Sequence, residues 1–179
     1  MVVTLIGYRG TGKSTVAPHL ADRLGWGWVD ADAAIEAAAG KSIREIFADE
    51  GESAFRERER EIMQLLLQTG NVVIAAGGGA IVNEQTRHDV RAAGPVVWLK
   101  ASAETIVSRM ETDAMTAQRR PNLTAIGGRR EVDRLLAVRE PLYRQCADVI
   151  VDTDGRDARS IVEEIIAAIE PRLGEGAAG

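Results

Sequence analysis

Apolar residues along this chain alternate between short unbroken runs and rows spaced three and four apart. Val2-Val3-Thr4-Leu5-Ile6 is such a run and predicts a short buried strand. Val16, Ala17, Leu20, Ala21 and Leu24 then recur at helical spacing, and Gly25 ends that helix. Pro18 inside it predicts a local kink or a late effective start, because proline lacks the N–H and crowds the preceding turn. Trp26–Asp30 reads as a second strand. It is followed by a helix with Ile35 and Ala39 on its inner face and Gly40 as its stop. Ser42-Ile43-Arg44-Glu45 is a capping box for a short helix with Ile46 and Phe47 inside, broken by Gly51. A longer helix is expected from about Glu52 to Thr69 on a stripe of Phe55, Ile62 and Leu66. Asn71–Ala76 predicts the third strand, Asn83–Ala93 a helix, and Val96–Leu99 the fourth strand after Gly94-Pro95. Ser102 is placed to cap a helix striped by Ile106, Val107 and Met110. From Glu111 to Arg130 the period is lost. A helix from about Glu131 carries Val132, Leu135 and Leu136, and Pro141 is expected to bend or restart it. Ala147–Asp152 holds the fifth strand. The last helix aligns Ile161, Ile165 and Ile169 beside Val162 and Ile166.

Strands alternating with helices predict a parallel sheet covered on both faces. Right-handed crossovers make it a three-layer α/β sandwich with five strands. No linker separates two cores, so residues 1–173 are read as one domain and 174–179 as a flexible tail. The chain has 179 residues and is 45% hydrophobic, enough for one substantial core. No apolar run is long enough to span a bilayer, and the first residues carry no secretory pattern. The sole cysteine, Cys146, cannot form an internal disulfide and suits a reducing cytoplasm. A small buried apolar role fits it better than a nucleophilic one. His19 and His88 have no metal-site spacing and are expected on the surface. A net charge of −5 argues against a general nucleic-acid binder.

Chemistry concentrates at the first strand-to-helix turn. Gly7-Tyr8-Arg9-Gly10-Thr11-Gly12-Lys13-Ser14-Thr15 fits the phosphate-binding pattern G-x-x-x-x-G-K-[ST], with the strand before it and the helix after it that the motif needs. Gly10, Thr11, Gly12, Lys13, Ser14 and Thr15 are therefore candidate nucleotide ligands. Lys13 would reach the terminal phosphates, and the Ser14 hydroxyl would ligate Mg²⁺. Asp30 and Asp32 stand just past a strand's C-terminal end, where open α/β sheets bind ligands; helix caps or solvated charges are the alternative. The third strand runs into Gly77-Gly78-Gly79, which either lets a ligand approach the main chain or is a flexible turn. No acid ends that strand, so Mg²⁺ would be organised by Ser14, phosphates, waters and Asp30. Arg56 and Glu59 share a helix face, as a surface ion pair or as part of a site. The arginine-bearing stretch at about 111–124 reads as a mobile lid or a surface loop. The helical segment at about 31–61 can act as a substrate-binding flap.

Together these motifs resemble the shikimate kinases, small P-loop enzymes of the nucleoside-monophosphate-kinase-like class. The resemblance runs from Val2 to about Ile169. It rests on the P-loop, Asp30-Ala31-Asp32, Phe55-Arg56 with Glu59, Gly77-Gly78-Gly79, and Arg120-Pro121 followed by Arg139-Glu140-Pro141-Leu142-Tyr143. It implies transfer of the ATP γ-phosphate to the 3-hydroxyl of shikimate, on the route to chorismate and the aromatic amino acids. Carried over by motif, Asp32 binds and orients or deprotonates the hydroxyl, and Arg56 and Arg139 pair with the substrate carboxylate. Gly77, Gly78 and Gly79 line the acceptor ring, and Arg120 closes from the lid onto the phosphates. Lys13, Asp32 and Arg120 form the implied catalytic set. Arg109 and Arg156 are candidates for nucleotide contact, with ATP and Mg²⁺ as the implied co-substrate and metal. A cytoplasmic monomer is expected, since no spare apolar face is evident. Three features depart from the family pattern: a longer lid between Arg109 and Arg120, Asn122 after Arg-Pro, and no proline in the loop near Arg156. Rival readings are a gluconate kinase and a nucleotide-binding regulatory protein without catalysis.

Overall fold

The structure, a computed structural model, describes residues 1–112 and 128–175. Five parallel strands form one sheet in the order β2-β3-β1-β4-β5. They are β1 (Val2–Ile6), β2 (Gly27–Asp30), β3 (Val72–Ala75), β4 (Val96–Lys100) and β5 (Val149–Asp152). β1 is central: Val2 pairs with Val72 on one side and Thr4 with Val96 on the other. Because side chains alternate along a strand, each strand feeds both faces. Val3 and Leu5 join Val73, Val97 and Leu99 under α1 (Lys13–Leu24) and the last helix, α7 (Ala158–Glu175). Val2 and Ile6 join Ile74, Val96 and Trp98 on the opposite face. That face is covered by α3 (Ile43–Leu67), α4 (Glu84–Ala93) and α6 (Gly128–Cys146) through Met63, Val90, Tyr143 and Cys146. Helix, sheet, helix is the expected three-layer sandwich.

Two smaller clusters place the site. Ile35 of α2 (Ala31–Ala39) packs with Ile43, Ile46 and Phe55 of α3, which gives the flap its own core. Tyr8 packs with Ala101, with Ile106 of α5 (Ala103–Thr112), and with Val132 of α6.

Several local expectations change. Pro18 and Pro141 lie inside helices that run on uninterrupted. A proline at either place removes the bond to the carbonyl four residues back and crowds it, and the packed apolar face on each helix outweighs that cost. The two expected helices around Gly51 form one element with a break, where Gly51 takes φ 82°, ψ 177°. A short 3₁₀ turn, Ala80–Val82, follows the glycines, and α7 continues to Glu175, beyond the expected domain end at 173. Helix α5 reaches Thr112; residues 113–124 of the expected lid and 176–179 of the expected tail lie outside the described residues.

Candidate active site

The P-loop backbone shows why glycine occupies its turns. Gly7 has φ 142°, and a Cβ there would lie 2.4 Å from the Leu99 carbonyl oxygen. Gly10 and Gly12 also take positive φ, at 79° and 94°. Gly12 is the N-cap of α1 and offers no side-chain cap, so the helix start presents its N–H groups and positive dipole end to the cleft. Lys13 is buried, and its Nζ donates to the carbonyls of Gly7 at 2.8 Å and Tyr8 at 2.9 Å. Thr11 is turned inward, its Oγ1 donating to the Tyr8 carbonyl at 2.8 Å. A nucleotide could therefore meet Thr11 only through its main chain.

Asp30 rather than Asp32 caps α2. Its Oδ1 accepts from the N–H groups of Asp32 at 3.0 Å and Ala33 at 3.2 Å. Its Oδ2 accepts from the Ser14 hydroxyl at 2.6 Å. One carboxylate thus fixes the start of the flap and holds the Ser14 hydroxyl. A hydroxyl beside a carboxylate is a pair of hard oxygen donors, which suits Mg²⁺ completed by phosphates and waters. Among the described residues, no cluster of three or more His, Cys, Asp or Glu side chains could hold a metal unaided.

Relieved of capping, Asp32 lines a cleft of about 340 Å³ together with Arg9, Lys13, Ser14, Gly78 and Arg109. Gly78 holds its place through its carbonyl, which accepts from Tyr143 Oη at 2.6 Å and Arg139 Nη1 at 3.3 Å. The Arg139 guanidinium also lies 5.7 Å from the centroid of the Tyr8 ring and is largely buried. Arg109 Nη2 donates to the Thr153 carbonyl at 2.7 Å and Nη1 to the Gly10 carbonyl at 3.3 Å, so it ties the P-loop to the loop after β5.

Arg56 lines an adjoining cavity with Gly79, Glu59 and Asn83. Its Nη1 donates to Glu59 Oε2 at 2.7 Å and its Nη2 to Glu52 Oε1 at 3.1 Å. The Glu59 side chain is only 4% exposed, so this is no surface ion pair. Burial pulls the Arg56 pKa down, but the Glu59 and Glu52 carboxylates together outweigh it and the net direction is upward. Gly79 leaves room for this guanidinium: a Cβ there would come within 2.6 Å of Nη1.

The structure does not bring Arg156 to this cleft. Its guanidinium binds Glu164 at 2.6 Å and the Asp152 carbonyl at 3.1 Å, within the turn that opens α7. Arg120 lies outside the described residues. His19 and His88 are exposed and Cys146 is buried. The sequence reading missed the seating of Gly78 and Arg139 against Tyr143 and Tyr8. Tyr143 could have been found, since it stands one helical turn from Arg139 on the same face. The other contacts join residues far apart in the chain and leave no periodic signal.

Comparison with known proteins bears on the family and the fold. The family model described as shikimate kinase matches residues 9–170. A shikimate kinase from Rhodopirellula baltica is 44% identical over 171 residues, covering 96% of this chain and 91% of that protein. The solved structure of a shikimate kinase from Acinetobacter baumannii in complex with shikimate superposes with a TM-score of 0.88 at 34% identity, covering 95% of this chain and 93% of that one. A gluconokinase from Sinorhizobium meliloti, at 18% identity and a TM-score of 0.58 with 98% and 94% covered, shares the fold alone.

Proposed function

The chain belongs to the shikimate kinase family, ATP-dependent kinases, and from that premise we propose that its cleft carries out the family's reaction with Mg²⁺ as the metal. The γ-phosphoryl of ATP passes to the 3-hydroxyl of shikimate, giving 3-phosphoshikimate and ADP. One observation carries the reading. Lys13, the hydrogen-bonded Ser14 and Asp30, Asp32 and Gly78 all line one cleft, which supports phosphate binding and acceptor binding side by side.

Phosphoryl transfer asks the protein mainly for positioning and for charge opposite the transferred group. Lys13 supplies charge at the β- and γ-phosphates, and the N–H groups at the start of α1 cradle them. Ser14 and Asp30 would hold Mg²⁺, which would supply charge opposite the phosphates. Asp32 receives the hydroxyl proton as the acceptor oxygen bonds to Pγ and the Pγ–O bond to the β-phosphate breaks. Arg139 and Arg56 hold the acceptor's carboxylate, with Glu59 and Glu52 fixing how Arg56 points. Arg109 faces the nucleotide from the cleft wall, and Arg120 completes the cationic set from the lid. We assign the enzyme to the cytoplasm, as a monomer. Among the described residues no helix is long and apolar enough to cross a membrane, and the exposed large apolar side chains stand on separate elements.

The test is ADP release from Mg·ATP with and without shikimate, with gluconate as control. Shikimate-dependent release is expected. Release with gluconate alone would refute the acceptor assignment, and release with neither would point to a regulatory nucleotide-binding protein.

A further inference from the structure

Arg9 is the charged residue of the P-loop to which the motif assigns no work. Its side chain is 13% exposed and lines the cleft with Lys13, Asp32 and Gly78. Its backbone nitrogen lies against the glycine loop, since a Cβ on Gly78 would be 3.2 Å from it. Arg9 therefore stands at the seam between the loop that holds the nucleotide and the loop that faces the acceptor. That seam is where the transferred group must cross.

Its surroundings hold it but leave one of its donors unbonded. Glu131, almost fully buried on α6, is the countercharge at 3.7 Å from Nη2, which is ion-pair contact and too long for a hydrogen bond. The Tyr8 ring supports the guanidinium at 5.9 Å from its centroid. Arg9 Nε is buried with no hydrogen-bond partner. A guanidinium is a planar fork of donors matched to phosphate oxygens, and a buried donor left unbonded is costly. A purely structural arginine would be expected to seat on Glu131 through paired hydrogen bonds.

We propose that Arg9 is a further catalytic residue, whose guanidinium contacts the phosphoryl group in transit from ATP to the acceptor oxygen. As the Pγ–O bond to ADP lengthens and the bond to the 3-oxygen forms, charge gathers on the equatorial oxygens of the transferred group. Arg9 meets that charge from the P-loop side. Glu131 and Tyr8 hold it in place beforehand, so little reorganisation is needed at the moment of transfer. This inference rests on the kinase reading above.

The experiment compares Arg9→Gln and Arg9→Lys with the parent in steady-state kinetics. It also measures affinity for Mg·ADP alone and for Mg·ADP with aluminium fluoride and shikimate, a mimic of the transition state. Arg9→Gln is expected to lower kcat by about 100-fold, with both KM values within about threefold of the parent. Arg9→Lys, which keeps the charge and loses the fork, falls between. The aluminium fluoride complex weakens in step with kcat while Mg·ADP binding is unchanged. A kcat within about threefold of the parent would overturn the proposal. So would an equal loss of Mg·ADP affinity, which would make Arg9 a brace for the loop. Should Arg9→Gln fail to fold by thermal melting, Arg9→Lys carries the same comparison. A parent without shikimate-dependent ADP release would overturn the kinase reading itself.

Discussion

Replacing Gly79 with alanine displaces the Arg56 guanidinium without substituting Arg56. Gly79 has φ −107°, ψ −5°, a conformation open to any L-residue, so the change adds no backbone strain. The new Cβ would sit 2.6 Å from Arg56 Nη1, where ordinary contact begins at 3.4 Å, so the guanidinium must withdraw by about 0.8 Å. Its bonds to Glu59 and Glu52 must adjust as it withdraws, which moves the fork from its present seat. The unfolding free energy should stay within about 1 kcal/mol of the parent, because alanine also reduces the freedom of the unfolded chain. The acceptor site should suffer more. A charge-assisted bond to the substrate carboxylate lost through misplacement costs about 2 kcal/mol, a rise of about 30-fold in the shikimate Kd. Calorimetric titration with shikimate, paired with thermal unfolding, measures both quantities. A Gly79→Ala protein that binds shikimate within about twofold of the parent would refute the reasoning, since the Arg56 position would then not matter to the acceptor.

Three other perturbations test neighbouring parts of the site. Asp32→Asn should lower kcat by about 100-fold with the KM for ATP unchanged, because its work is on the acceptor hydroxyl; near-normal turnover would remove it from the mechanism. Asp30→Ala should cost about 1 kcal/mol of stability through the lost cap and raise the Mg²⁺ concentration needed for half-maximal rate. Asp30→Asn keeps a capping oxygen, so it should restore the melting temperature but not the Mg²⁺ response; recovery of both would separate Asp30 from the metal. Burial pushes the Cys146 thiol up to about 11, so it is neutral at pH 8 and should resist thiol reagents until urea unfolds the chain. Labelling of the native protein at the unfolded rate would contradict that burial.

The sheet, its layers and the P-loop were legible because each rests on local pattern: runs, rows and a glycine spacing. The division of labour between Asp30 and Asp32 was not. Two carboxylates around a strand-to-helix junction are equal candidates for capping, and only the chain's path assigns that role to Asp30. Arg56 and Glu59 read as a surface pair or as part of a site, because their spacing fixes a shared helix face but not what covers it. In the fold, Glu59 turns out to be buried. Proline neither delays the start of α1 nor restarts α6, since its local penalty is real but smaller than the packing that holds each helix together. The seating of Arg139 on Tyr8 and Gly78 depends on a pairing of distant segments that no window of sequence contains.

The central place of β1 has a consequence for how this protein is made. Its two neighbours in the sheet begin at Val72 and Val96, so the strand that carries the P-loop is the earliest to leave the ribosome yet acquires its second partner only when more than half the chain exists. Contacts of such long sequence separation are slow to form, since the entropy of closing the intervening loop must be met first. Nascent chains ending before β4 should therefore leave the phosphate loop without its supporting wall. Nucleotide binding would then arrive as a late event in biosynthesis rather than an early one.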